Sequence, residues 1–280
     1  MNQSEMIDFF VITKRFYGSK EMFIIEELAY SLHLSNDRNK KNISKTNSRN
    51  NISGSTSLLN NAIQNLKTLS KVNKHNYRKY DNDIDNIEII RGTNSCYQDT
   101  ENLYLELFEK ARIKYNEKQI RDDRKIKNYM KDVSDNSKKD LACLACEIII
   151  ELGNKAYWDS KDDNFKKQMS KVYEKQVEDL EMLVPNFKVA SAVIHYDETS
   201  PHIHIVGISV KEKNKYGMEL QVGKSDVFTK ESLINLQNKM RILCIEEFNK
   251  EYNLNNSIKE KQKGRNKDIH VIDMDHYAEM

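Results

Sequence analysis

The sequence has little that would punctuate or cross-link a chain. Two prolines and eight glycines occur in 280 residues, too few for the turn-rich all-β sandwiches that depend on them. The four cysteines are Cys96, Cys143, Cys146 and Cys244. They supply one lone C-x-x-C ("CLAC") and no second pair, so a zinc ribbon has no ligands and buried structural thiols are expected. No run of eighteen apolar residues is present, and the opening "MNQSEMIDFF" carries acids where a secretory leader needs a basic start. The expectation is a cytoplasmic protein without a membrane segment. A surplus of charge is also lacking: 45 Lys and Arg face 43 Asp and Glu, for a net charge of +2. That balance says little about partners, because a basic face can be offset by an acidic one elsewhere. The 38% apolar content suffices for one large domain or two small ones.

What is present reads as a mixed series of elements. Residues 6–12 ("MIDFFVI") suit a strand and 20–32 ("KEMFIIEELAYSL") a short helix. From 35 to 57 the chain is almost wholly Asn, Ser, Lys and Arg, a composition that buries too little apolar surface to offset its ordering entropy, so a disordered insertion is expected. Leu58, Leu59, Ala62, Ile63, Leu66 and Leu69 then recur at helical spacing. "TLSKVNK" is a poor strand, and "IEII" (87–90) a good one. A helical stretch is expected from about 101 to 131, its later half strongly charged. "LACEIIIELG" (144–153) suits a strand covered on both faces. Phe165, Met169, Val172, Tyr173, Val177, Leu180 and Leu183 mark an amphipathic helix that Pro185 stops. Two strands follow, "KVASAVIH" and "HIHIVGISV". Thr229 is a candidate N-cap for a last helix reaching about Tyr252, with Glu231 favourable to its dipole. The fold class expected is α+β, with a central antiparallel-rich sheet flanked by helices, packed mainly on one face.

The concentrated chemistry lies in "VIHYDETSPHIHIVGISV" (193–210). It holds three of the chain's seven histidines, His195, His202 and His204, with Asp197 and Glu198 between them. Side chains alternate along a strand, so His202 and His204 share a face about 6.6 Å apart. "YDETSP" is a plausible hairpin connection, and an antiparallel return brings His195 beside His202. Three imidazoles then converge, a set suited to a divalent metal with positions left open. Buried without such a purpose, they would cost roughly several kcal/mol of desolvation. Asp197 and Glu198 fit three roles, as ligands, as orienters of an imidazole N–H, or as a general base. Three histidines alone also suit a carbonic anhydrase-like hydrolase, a metallophosphatase or a dioxygenase.

"H-Y-D-E-T-S-P-H-I-H" resembles the metal-binding motif of the plasmid mobilisation and recombination relaxases, the Mob/Pre (MobV) group. Their pattern, His-x-Asp-Glu-x-x-Pro-His-x-His, is met by His195, Asp197, Glu198, Pro201, His202 and His204. "KHNYRKYDNDID" (74–85) is similar to the group's first motif and places His75, Asn76 and Arg78 on its positions. "YNEKQIRDDRKIKNY" (115–129), "DVFTKESLINLQNKM" and "KGRNKDI" resemble family stretches too. The resemblance spans roughly residues 72–270. Its organisation is a relaxase domain over 58–270, preceded by a segment of uncertain role (1–34) and the 35–57 insertion, and followed by a tail (271–280).

The resemblance implies the His-hydrophobe-His relaxase fold and an endonuclease that nicks one DNA strand at a plasmid origin of transfer, keeps the 5′ end covalently, and religates it. It implies a divalent metal, Mn²⁺ or Mg²⁺, on His195, His202 and His204. His75 is the implied nucleophile, with a tyrosine (Tyr77, Tyr80, Tyr97 or Tyr104) as the alternative. Arg78 would clamp phosphate, Glu198 would serve the metal or act as base, and Asn76 and Asp197 would support them. Arg121, Arg124, Lys125, Lys263 and Arg265 are the expected DNA-backbone contacts. The implied partners are single-stranded or supercoiled origin DNA, a second copy of the chain, and a coupling protein of a conjugation system. A replication initiator of the same superfamily and a degenerate DNA-binding protein are the alternative functions.

Overall fold

The computed structural model of the protein describes residues 25–34, 63–80, 86–140, 143–212, 214 and 216–260. In chain order the elements begin with β1 (Glu27–Leu28), β2 (Tyr30–Leu34), α1 (Leu66–Asn76), β3 (Ile87–Arg91) and α2 (Cys96–Glu117). A 3-10 turn (Asp122–Arg124), α3 (Tyr129–Asp140), β4 (Cys146–Leu152), α4 (Lys155–Asp159), α5 (Asp163–Lys167) and α6 (Met169–Leu183) follow. The last elements are β5 (Phe187–His195), β6 (His202–Lys211), β7 (Gln221–Val222), α7 (Lys224–Val227), α8 (Lys230–Tyr252) and β8 (Ser257–Ile258).

The central sheet runs β2-β4-β6-β5-β3, with β7 paired to β6, and every pairing in it is antiparallel. Alternation assigns the faces. Ile148, Ile150, Ala192, Ile194, Ile203 and Ile205 pack on one side against Val172, Tyr173 and Val177 of α6 and Met240, Cys244 and Phe248 of α8. Val193, Val206, Ile208 and Val210 pack on the other side with Leu69 and Val72 of α1 and Tyr104 and Phe108 of α2. Helices therefore cover both faces, where the sequence reading places them mainly on one. The near-continuous apolar runs of β4 and β6 are what two-sided cover requires.

A register shift between Val189 and Ser191 interrupts β5. It is a β-bulge, in which one extra residue changes which face the following side chains meet. Phe187 and Val189 thereby join Ala192 and Ile194 on the α6–α8 side, while Val193 lies on the opposite side. Phe187 meets Phe228 edge to face, ring centroids 5.3 Å apart.

Several expectations shift in detail. Residues 27–28 and 30–34, which overlap the end of the helix expected over 20–32, are strands. Leu28, Leu32 and Leu34 are buried, and β2 pairs along its length with β4, so sheet pairing overrides helix propensity. The segment before residue 35 thus supplies an edge strand of the central sheet. Ile63, expected in a helix, bridges to Ala145 instead. The helix starts three residues later, at Leu66, where Asn65 and Thr68 form a reciprocal capping box, and it absorbs "TLSKVNK". The long helix expected over 101–131 is two helices. α2 ends at Glu117, and Asn116 closes the bend by accepting from Ile126 N and donating to Ile126 O, each at 2.9 Å. Thr229 caps α8 as expected, accepting from Ser232 N at 3.1 Å. All four cysteines are buried and none is in a disulfide. The expected strand 6–12, the 35–57 insertion and the 271–280 tail lie outside the described residues. Among the described residues no helix is long and apolar enough to cross a membrane.

Gly207 on β6 lies under the bulged strand. A Cβ there would stand 2.5 Å from Phe187 Cζ and 2.6 Å from the Lys188 carbonyl oxygen. Gly207→Ala should therefore lower the stability by about 1–3 kcal/mol through overpacking, read as a lower urea midpoint with unchanged slope.

Candidate metal and nucleophile centre

Three tautomers are fixed by three different partners. His195 stands opposite His202 in the β5–β6 ladder, and His204 opposite Val193, so all three histidines project from one face of the sheet. His195 Nε2 donates to the Asn76 carbonyl oxygen at 2.9 Å. His202 Nδ1 donates to the Ser200 carbonyl oxygen at 2.9 Å, and His204 Nδ1 to Glu147 Oε1 at 2.9 Å. Each ring keeps one nitrogen without a proton, and those nitrogens face one another. His195 Nδ1 and His204 Nε2 are buried with no hydrogen-bond partner. Imidazoles anchored through one nitrogen and open at the other have the form of metal ligands. Buried orphan acceptors are otherwise rare and costly.

α1 delivers His75 to this cluster. Its C-terminal end closes as a Schellman motif: Lys79 N donates to Lys74 O at 2.9 Å and Arg78 N to His75 O at 3.1 Å. The left-handed residue of the motif is Arg78, with φ 48°, where glycine is usual. A non-glycine residue there costs about 1–2 kcal/mol. The guanidinium holds it: Nε donates to Asp197 Oδ2 at 2.7 Å, and Nη2 to Asp197 Oδ1 at 2.6 Å and Glu198 Oε1 at 2.8 Å. The phosphate clamp expected of Arg78 is thus largely engaged within the protein, on the tip of the β5–β6 hairpin. His75 lies three residues before the left-handed Arg78, its ring 5.5 Å from that of His195 and 5.2 Å from that of His204.

The candidate ligand atoms form two overlapping trios. His75, His195 and His204 make one, and His195, Glu198 and His202 the other, with the atoms of each trio within 4.8 Å of one another. Glu198 lies 3.8 Å from His195 Nδ1 and 3.6 Å from His202 Nε2. His195 first, with His202 and Arg78 also contributing, holds its carboxyl well below the usual range. Burial lowers His202 and, more strongly, His204. His75 keeps an exposed edge, yet its packing in the cluster is the largest cause of its lowered pKa, followed by His195 and Arg78. These three imidazoles are therefore biased towards the neutral form.

Glu147 is the residue that sequence reading missed. It is 1% exposed, and its Oε1 accepts from both His204 Nδ1 and Asn76 Nδ2, the latter at 3.1 Å. Burial raises its pKa to about 7, with Asn76 offsetting part of the rise. Glu151, on the same strand face, accepts from Ser200 Oγ. The signal was available: "EIIIE" places two acids four residues apart on an otherwise apolar strand. The expected DNA contacts fare differently. Arg121 pairs with Asp123 and Lys125 with Asp122, and Arg124 is exposed beside them. Lys263 and Arg265 lie outside the described residues. Of the tyrosines, Tyr77 and Tyr104 are buried, Tyr104 donating to Leu144 O at 2.6 Å, and Tyr80 is exposed.

Comparison with known proteins decides the family. The family of plasmid recombination enzymes (Mob/Pre) matches residues 62–279. The chain belongs to the Mob/Pre family. The match contains both histidine motifs and extends beyond the stretch on which the resemblance was read. Among solved structures, the chain is similar to the MobM relaxase domain bound to 22-nucleotide origin-of-transfer DNA of plasmid pMV158, an Mn-bound crystal form at pH 5.5. That likeness has 16% identity over 76% of this chain and 94% of that one, with a TM-score of 0.44. A 23-nucleotide complex at pH 6.5 gives 17% identity, 77% and 94% coverage, and a TM-score of 0.45. No curated protein matches the sequence.

The lowered imidazoles give a pH signature to the metal-free Mob/Pre domain. The unfolded chain takes up protons at His75, His202 and His204 that the folded chain refuses. Their contribution is complete above 6.5, the usual imidazole value, and is lost as the pH falls towards their folded values. Glu147 runs the other way: its contribution is complete below 4.5 and lost as the pH rises through about 7. Three groups oppose one, so urea titrations in EDTA should show stability falling from pH 7 to pH 5.

Proposed function

We propose that the chain is a divalent-metal-dependent DNA relaxase with His75 as its nucleophile. The observation that carries this reading is the pair of unprotonated, unpartnered nitrogens, His195 Nδ1 and His204 Nε2, on rings that the His75 ring meets edge-on at 5.5 and 5.2 Å between centroids. His195, His202 and His204 would hold the ion, with Glu198 as the nearby carboxylate. Nitrogen-rich donors favour Mn²⁺ over Mg²⁺. The bound ion would polarise the scissile phosphate and offset the charge that develops on it.

The chain's own residues supply the rest. His75, held neutral, offers a lone pair to phosphorus. A P–N bond forms as the P–O3′ bond breaks; the 3′ oxygen leaves with the electron pair and gains a proton, while the phosphorylated imidazole loses one. The phosphoramidate keeps the 5′ strand on the protein, and attack by a 3′ hydroxyl reverses the step, which is how a covalent intermediate permits religation. Arg78 fixes the height of His75 by holding the end of α1 against Asp197 and Glu198. Asn76 joins the same helix end to His195 and Glu147.

The test is supercoiled plasmid carrying the cognate origin, incubated with the protein and Mn²⁺. Nicked circles should appear with protein on the 5′ end. His75→Ala should lose the adduct yet keep Mn²⁺ and DNA binding; an adduct in that variant would refute the nucleophile. Cleavage unchanged in His202→Ala would sink the metal assignment.

Glu147→Gln should weaken Mn²⁺ binding about 10–100-fold by titration calorimetry, as loss of a ligand's anchor does elsewhere.

A further inference from the structure

The near-zero net charge conceals a segregation. Between Arg38 and Tyr80 the sequence contains ten Lys and Arg and no Asp or Glu. Of the chain's net +2, that stretch carries +10, and the remaining residues therefore sum to −8.

Its described part is α1 and the turn after it. The buried face of α1 is Leu69, Val72 and Asn76. Lys67, Lys71 and Lys74 are exposed and recur at i, i+4 and i+7, so they form one row on the outer face. At 1.5 Å per residue the row is roughly 10 Å long, and its last member immediately precedes His75. Lys79 and Tyr80 continue it past the Schellman turn, Tyr80 63% exposed with Lys74 Nζ 5.7 Å from its ring centre. No described carboxylate lies within ion-pair distance of these lysines, whereas Arg121 and Lys125 are each paired with a neighbouring aspartate. Cations near a helix C-terminus complement its dipole, which accounts for Lys74 but works against Lys67 in the first turn.

We infer that the Lys67–Lys71–Lys74 row, extended by Lys79 and Tyr80, is the track on which a single DNA strand lies as it reaches His75. The lysines meet successive phosphates and the exposed Tyr80 ring takes a base, the pairing of charge and aromatic surface by which single strands are held. The 121–125 segment, its charges largely internally matched, contributes little. The inference rests on the DNA-processing reading above and adds where the strand runs.

The experiment is fluorescence anisotropy with a labelled 20-nucleotide mixed-sequence single strand, titrated in EDTA from 50 to 300 mM NaCl. The K67A/K71A/K74A variant should flatten the plot of log affinity against log salt by about 2, near 0.7 for each phosphate no longer neutralised. Arg121→Ala, Arg124→Ala and Lys125→Ala together should leave the slope unchanged. Tyr80→Ala should weaken binding about ten-fold or more at every salt concentration without changing the slope. Mn²⁺ affinity and the melting temperature of each variant report that the fold and the histidine centre are intact. An unchanged slope in the α1 variant, or a flattened one in the 121–125 variant, overturns the inference. So does an α1 variant that loses binding to phosphatidylserine vesicles while its oligonucleotide slope stays the same. Because neither metal nor cleavage is needed, a protein that binds through this row but forms no adduct would refute the nicking reading and leave the track standing.

Discussion

The hydrogen bond from His195 Nε2 to the Asn76 carbonyl joins the two halves of the site. Without it α1 would end near the sheet but not at a defined distance from it. The bond settles which nitrogen of His195 is bare, and it fixes the last turn of α1 over the β5–β6 hairpin. Asn76 acts twice, since its side-chain amide also reaches Glu147, which anchors His204. One helical residue therefore sets the orientation of two imidazoles on two strands. A buried network of this kind is worth having only when most of its members are satisfied, and two of the atoms left open, His195 Nδ1 and His204 Nε2, belong to the candidate ligand trios.

Arg78 carries the opposing cost. Its backbone occupies a conformation that glycine would adopt freely, and its side chain has little exposure. A glycine would relieve the backbone and abandon Asp197 and Glu198. The sequence accepts the strain because only a planar, forked cation can meet two adjacent carboxylates and still span from helix end to hairpin tip. Strain held by surrounding contacts is common where geometry must be exact to a fraction of an ångström.

Much of this was legible in the residues. The hairpin geometry followed from period-2 alternation and a six-residue connection, and the pairing of His195 with His202 is what an antiparallel return requires. The α+β class and the boundaries of the last helix were also readable, because Thr229 and the apolar stripe after it are strong local signals. The edge strand at 30–34 was not, since its leucines fit either period and only pairing with β4 decides between them. Two-sided cover was read for the strand at 144–153 but not extended to the sheet, although β6 is apolar on both faces as well, the clue that distinguishes a sandwiched sheet. Glu147 was overlooked although "EIIIE" carries two acids on a strand read as covered on both faces, where a carboxyl group needs a buried partner. The expected role of Arg78 rested on what a guanidinium can bind, and the structure places two carboxylates closer to hand.

The bulge in β5 has a bearing on how the sheet tolerates change in length. It divides the strand into two segments of opposite parity, one that packs a core and one that presents an imidazole. Loss of a single residue near Ala190 could be absorbed by straightening the ladder. His195 would then keep its place opposite His202, and Phe187 and Val189 would keep theirs opposite Ser209 and Gly207, still on the side of Phe228. The bulge thus holds a surplus residue between two halves that are each in register with β6, so the packing half and the half in which position is chemistry do not depend on it for their faces.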